Sequence, residues 1–261
     1  MTILKHELKQ SRLFFIIWTA VIGFMLGVSI ILFPEMKKEM DMINEAFASM
    51  GSFTAAFGMD KLNFGTISGY YTVECGNVLG LGGAFFAALC GIAVLCKEEK
   101  NRTSEFLFSH PVSRANILTG KLISVLFQVV LMNIIIYVLS ILSLTVIGED
   151  IPWRQINLIH FAYLLLQLEL ASVCFGISAF IRKGSIGIGL GIAAAMYFFN
   201  IISNITTSAE FLKYITPFGY CDGAEIAEKG NLDLIKVAIG ISVSALCIAL
   251  AYLKYKKKDL H

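Results

Sequence analysis

Charge is what this sequence has least of. Only 15% of its 261 residues are charged against 57% hydrophobic, and the mean hydropathy is +0.74. Soluble domains carry about 25% charged and about 45–50% apolar residues, so a soluble globular chain is excluded. A net charge of +2 offers no basic footprint for nucleic acid. The six cysteines, Cys75, Cys90, Cys96, Cys174, Cys221 and Cys247, show no C-x-x-C or Cys/His spacing. All but one lie within or at the ends of apolar runs, where a thiol behaves as a small hydrophobe, so packing rather than a metal or disulfide is expected. His6, His110, His160 and His261 are scattered over separate elements, and nothing beside the carboxylates supplies a nucleophile or metal ligands. Catalysis and a metal site are therefore not expected. No G-x-x-x-x-G-K-[ST] occurs; the nearest fragment, Thr119-Gly120-Lys121-Leu122, lacks the first glycine and the terminal hydroxyl that a phosphate cradle requires. The sequence thus carries no nucleotide-binding domain and no cofactor of its own. No A-x-A site follows the first apolar run, which exceeds the about 7–15 residues of a signal-peptide core, so it is read as a retained span.

What is abundant is apolar sequence, in runs close to the ~20 residues that cross a bilayer. These runs predict an all-α integral membrane protein, one transmembrane domain over 1–261. Its six spans fall near 13–33, 71–96, 121–147, 157–181, 185–203 and 234–253. Placing both termini in the cytoplasm puts twice as many Lys and Arg inside as outside, including the Lys254–Lys258 cluster, as the positive-inside rule favours. Ahead of the first span, TILKHELKQSR sets Ile3, Leu4 and Leu8 against Lys5, Lys9 and Arg12. Two readings stand for it: a short interfacial helix or a charged flanking tail. Two outer segments, about 34–70 and 204–233, are expected to hold short helices. Met36, Met40, Ile43, Phe47 and Met50 form an apolar helical stripe in the first, and Phe211, Tyr214, Phe218 and Tyr220 surround Pro217 in the second.

One polar passage interrupts the apolar chain on the inner side, KEEKNRTSEFLFSHPVSRANILTGK at 97–121. Before Pro111 it has helix-forming character and ends in the cluster Phe106, Leu107, Phe108. The proline pushes His110 toward an extended backbone, and Ser113 then stands where an N-cap would start the next helix. The element is either an interfacial loop dipping its aromatic side chains into lipid or a docking site for a cytosolic partner.

These residues resemble the coupling-helix region of type-2 ABC transporter permeases. The acidic pair Glu98 and Glu99 with Lys100, then Thr103, Glu105 and Leu107, then Pro111, Val112, Ser113 and Arg114, and finally Ile117, Gly120 and Lys121 match that pattern. Phe108 replaces a leucine. The stretch LKYITPFGYCDGAEI at 212–226 is similar to the aromatic motif before the last span of the same family. The resemblance covers the whole chain and implies a permease half. A second permease chain, identical or related, would complete a pore in the cell membrane. Cytosolic ABC ATPase subunits, carrying ATP and Mg, would grip Glu98, Glu99, Thr103, Glu105, Phe106, Leu107, Phe108, Pro111 and Arg114. Hydrophobic or amphipathic cargo would be exported, and the likeness extends to bacterial permeases handling toxin or antimicrobial peptides.

Within the membrane Glu169 stands out. A carboxylate near the middle of the fourth span costs at least about 2.5–3.5 kcal/mol on insertion scales, so it should face protein or a cavity. Helical spacing sets it with Ser172 and Gly176 on one face. Glu74 and Asn77 sit near the outer end of the second span. These four residues, Glu169, Glu74, Asn77 and Ser172, are the candidates for a translocation path or gate; interhelical hydrogen bonding is the alternative. Gly76, Gly80 and Gly83, and Gly187 and Gly191, show small-xxx-small spacing for close helix approach. Two other functions fit parts of the same sequence: a secondary transporter using Glu169 as a proton relay, or a non-transporting sensor or immunity protein that anchors an ATPase.

Overall fold

The computed structural model of the chain describes residues 2–40, 42, 50–56, 59, 62–100, 113–181 and 186–256. Among them there is no strand, and six helices are long and apolar enough to cross a membrane. The spans are built from α1 (Thr2–Lys38), α3 (Ile67–Cys75) continuing through a π-helical segment (Gly76–Leu81) into α4 (Gly82–Lys100), α5 (Arg114–Ile147), α6 (Trp153–Ser178), α7 (Ile186–Ile205) and α9 (Leu234–Lys256). Short elements are α2 (Ser52–Ala56), two 3₁₀ turns (Thr207–Tyr214 and Pro217–Tyr220) and α8 (Gly223–Lys229).

α1 absorbs the amphipathic N-terminal stretch into one unbroken helix of 37 residues. At 1.5 Å per residue it is roughly 55 Å long, well beyond a bilayer core of about 30 Å. Its Lys, Glu and Gln residues are good helix formers, so polarity alone does not end the helix. The third span behaves likewise. The Ser113 side chain accepts a hydrogen bond from the Asn116 N–H, which starts α5 at Arg114, and Gly148 in the left-handed conformation (φ 72°) ends it. The capping role expected of Ser113 is therefore what the backbone shows.

Both α1 and α9 bring a chain end to the same side of the bundle, here the terminal face; the 3₁₀ turns and α8 crown the far face. α1 and α5 run parallel, joined by Lys121–Glu7 near the terminal face and by Lys37–Glu149 (2.7 Å) at the far face. The spans α3–α4, α6 and α9 run the other way and are parallel to one another. α6 occupies the centre. Of the most apolar stretch of each span, 72% in α3–α4 and 67% in α6 is buried within the chain, but only 17% in α7 and in α9.

Glycines set the α4–α6 contact. A Cβ at Gly76 or Gly80 would lie 2.8 Å from the Tyr163 side chain, one at Gly83 would overlap the Gln167 amide, and one at Gly91 would meet the α6 backbone at Ala171. On the opposite side of α6, Gly240 of α9 makes room for Glu169, and Gly176 makes room for Cys247. Both contacts advance by the same step along two parallel helices, which keeps the two in register. In α7 it is Gly189, against Ile92 and Ala88, that approaches α4, whereas Gly191 has no heavy atom within 4 Å of its virtual Cβ.

Candidate functional site

Three groups of polar side chains stand in this apolar frame. The first lies at the terminal face. Lys121, two turns into α5, is fully buried; its Nζ donates to Glu7 Oε1 of α1 at 2.7 Å and to the Val94 carbonyl of α4 at 3.0 Å. Gly120 packs on Ile3, whose Cγ2 would be 3.1 Å from an added Cβ. Thr119 shares a 2.6 Å hydrogen bond with Tyr252 of α9. The Cys96 thiol donates to the Ser178 and Ile181 carbonyls at the end of α6, at 3.6 and 3.7 Å. Five helices, α1, α4, α5, α6 and α9, are thus bonded to one another where the chain leaves α4 and re-enters at α5.

Those two flanks bracket the expected coupling element. Glu98 and Glu99 lie in the last turn of α4, of which the backbone alone is described, and Arg114 is the first residue of α5. Thr103, Glu105, Phe106, Leu107, Phe108 and Pro111 lie outside the described residues. Sequence reasoning missed Glu7. The available signal was a single acid inside a basic N-terminal stretch, matched by a lysine that the apolar run after it leaves with no aqueous position.

The second group is mid-bundle. Glu169 is 8% exposed and accepts a 3.0 Å hydrogen bond from the Tyr220 hydroxyl of the second 3₁₀ turn, with Gly240 pressed against its other side. Nearby, Gln167 joins three elements: its Oε1 accepts from Asn133 of α5 at 2.7 Å, and its Nε2 donates to the Leu79 carbonyl in the π-helical segment at 3.2 Å. His160 and Tyr71 share a 2.5 Å contact one layer farther out. Of the four path candidates, only Glu169 is seen to bond another element among the described residues, through its carboxylate. The Ser172 hydroxyl bonds back to Leu168 O in its own helix at 2.7 Å. Glu74 is half-buried on α3, and Asn77 lines a separate cavity; the structure does not bring either to Glu169. The Glu169–Tyr220 pairing spans distant sequence and had no local signature.

The third group crowns the far face. Lys213 and Lys236, both nearly buried, alternate with Asp222, Glu225 and Asp233 at 3.4–3.7 Å. Lys236 also donates to the Gly219 carbonyl at 3.2 Å, and the Arg154 guanidinium donates to Gly230 O at 3.0 Å. Asp222 caps α8 by accepting from the Ala224 and Glu225 N–H groups. This network fixes the 3₁₀ turns, and with them Tyr220, over the top of α6 and α9. Beside it lies a cavity of ≈ 70 Å³ between α3, α6 and α7. Among the described residues no three His, Cys, Asp or Glu converge as metal ligands.

No curated protein matches the chain closely enough to show a relationship. A family model does match, over residues 1–260, and it is described as ABC-2 family transporter protein. A helical bundle with six apolar spans among the described residues, and a polar stretch of sequence between the bonded ends of α4 and α5, agree with that match. The chain belongs to the ABC-2 family of transporter proteins and is a membrane-embedded ABC transporter permease.

Proposed function

We propose that this permease is the membrane subunit of an ATP-driven exporter that moves hydrophobic or amphipathic cargo, peptide or drug-like, out of the cell. The terminal face is cytoplasmic, with both termini inside, in the plasma membrane of a bacterium. ATP and Mg are bound and consumed by separate ABC ATPase chains that dock on residues 97–121, and a second permease chain, identical or related, completes the pore.

The observation that carries this reading is the bonded junction of five helices at the two flanks of 101–112. A displacement of that segment is delivered at once to α4 and α5 and through them to α1, α6 and α9, which is what a mechanical input from a partner requires. The scant cover of α7 and α9 within one chain supports a second copy or lipid against them. Glu169, held by Tyr220 beneath the far-face turns, is the residue we assign to the gate.

The test is reconstitution with the partner ATPase. Phe106→Asp combined with Phe108→Asp should abolish co-purification of the ATPase and the stimulation of its hydrolysis by cargo; persistence of both refutes the docking role. In vesicles, accumulation of a labelled amphipathic peptide should require ATP. Flux driven by an imposed proton gradient without nucleotide would instead indicate a secondary transporter, and ATPase binding with no accumulation would indicate an anchor.

A further inference from the structure

The far-face cavity serves neither the terminal junction nor the Glu169 contact. Its α7 wall is the stripe Tyr197, Asn200 and Asn204, which helical spacing places on one face of an otherwise strongly apolar span. The opposing wall carries Asn77, at the start of the π-helical segment, and such segments recur at functional sites. Amide side chains in a span are costly unless they are hydrogen-bonded. Among the described residues no hydrogen bond is seen to the side chains of Asn77, Asn200 or Tyr197, which are half-buried and open to the cavity. The neighbouring polar groups are barely engaged: the Asn204 amide reaches the Ala56 carbonyl at 3.4 Å, and the Tyr163 hydroxyl reaches the Cys221 carbonyl at 3.5 Å. Spare neutral donors and acceptors from two helices therefore converge on one small space.

The charge at its rim is already used. Asp222 Oδ1 caps α8 and its Oδ2 faces Lys213 at 3.4 Å, so the pocket presents no free carboxylate to a cation. Tyr197 and Phe218, edge to face with ring centres 5.3 Å apart, supply an apolar side. The cavity, ≈ 70 Å³ and partly open, has room for a group of a few heavy atoms. A carboxamide is the neutral group that both donates to and accepts from facing amides.

Resting on the transporter reading above, we infer that this cavity is a subsite for a single neutral amide of the cargo, a peptide bond or a side-chain carboxamide, read by Asn77 and Asn200 against the Tyr197 ring.

The test uses the full chain in lipid nanodiscs without ATPase or nucleotide. Two probes are titrated by ¹⁹F NMR, 4-(4-fluorophenyl)butanamide and its methyl ester counterpart, which differ in the amide alone. The amide should bind saturably, and the ester about tenfold more weakly, as expected for lost hydrogen bonds. Asn77→Leu and Asn200→Leu should each cut amide affinity about tenfold and leave the ester unchanged. Equal affinity of the two probes for the wild-type chain overturns the subsite whatever the variants do, and so does full amide affinity in both variants. ATP-driven export without amide preference would remove this subsite alone. Amide-selective binding by a chain that exports nothing in the vesicle assay would keep the subsite and remove the transport reading.

Discussion

Replacing Lys121 or Glu7 singly should damage the protein far more than replacing both. The pair is 2.7 Å apart with side-chain exposures of 0% and 4%, so neither charge has water to fall back on. Removing one partner of such a pair costs about 3–5 kcal/mol, whereas exchanging both for apolar groups of similar volume is near neutral. Here the Val94 carbonyl also loses its 3.0 Å donor, which adds about 1–3 kcal/mol to any variant without Lys121. Lys121→Met is therefore expected to lose about 4–8 kcal/mol, Glu7→Met about 3–5 kcal/mol, and the double variant only about 1–3 kcal/mol. Additivity would instead put the double variant at roughly 7–13 kcal/mol, so the two outcomes are well separated. The assay is reversible unfolding in mixed micelles titrated with SDS, read by far-UV circular dichroism. Single variants within about 1 kcal/mol of wild type, or a double variant equal to the sum, would refute a buried, mutually dependent pair. The exposed counterpart Lys37–Glu149 gives the internal contrast, since Lys37→Met should cost no more than about 1 kcal/mol and less at high salt.

Glu169→Gln keeps an acceptor for the Tyr220 hydroxyl, so the fold should survive while export slows; transport equal to wild type from about pH 5.5 to 8 would reduce Glu169 to packing. Gly83→Ala drives a Cβ into the Gln167 amide, whose two hydrogen bonds prevent it from stepping aside, and should cost about 1–3 kcal/mol in the same unfolding assay. Gly191→Ala meets open space and should be neutral or stabilising by up to about 1 kcal/mol; a loss there would mean the site is covered in the assembly. Asp233 accepts from the Ile235 and Lys236 N–H groups at the start of α9. Its partial burial works to raise its pKa, but those N–H bonds and the Lys236 ammonium prevail and hold it below the usual 3.8. Its stabilising contribution is complete above that ordinary value and is lost as pH falls through the lowered one. Asp233→Ala should cost about 0.5–2 kcal/mol at neutral pH, and little in strong acid; a cost that does not shrink on acidification refutes the cap.

The spans were legible because apolar runs of bilayer length need no partner to be recognised. Glu169 was equally visible, since a carboxylate among leucines is conspicuous whatever surrounds it. Helix ends were less so: the expected start of the first span at 13 marks where polarity falls, but residues 2–12 are good helix formers and simply extend it. The π-helical segment was not legible, because Gly76, Gly80 and Gly83 read as a regular packing stripe, which is also how they meet Tyr163 and Gln167 of α6. Glu7–Lys121 and Glu169–Tyr220 were missed for a different reason. Each joins residues 114 and 51 positions apart, and a pairing between distant segments leaves no local pattern.

The Gln167 junction restricts how the bundle can move. One side chain holds α5 through Asn133 and the π-helical turn through Leu79, and it sits in the space Gly83 vacates. Rotating α6 about its axis would break both links in a medium that offers no substitute, each worth about 0.6 and up to about 1.7 kcal/mol. The α3–α4 span, α5 and α6 therefore travel as a single block. Any alternation between open and closed forms must come from that block swinging against its neighbours, with α7, sparsely covered by the rest of the chain, as the surface along which it slips.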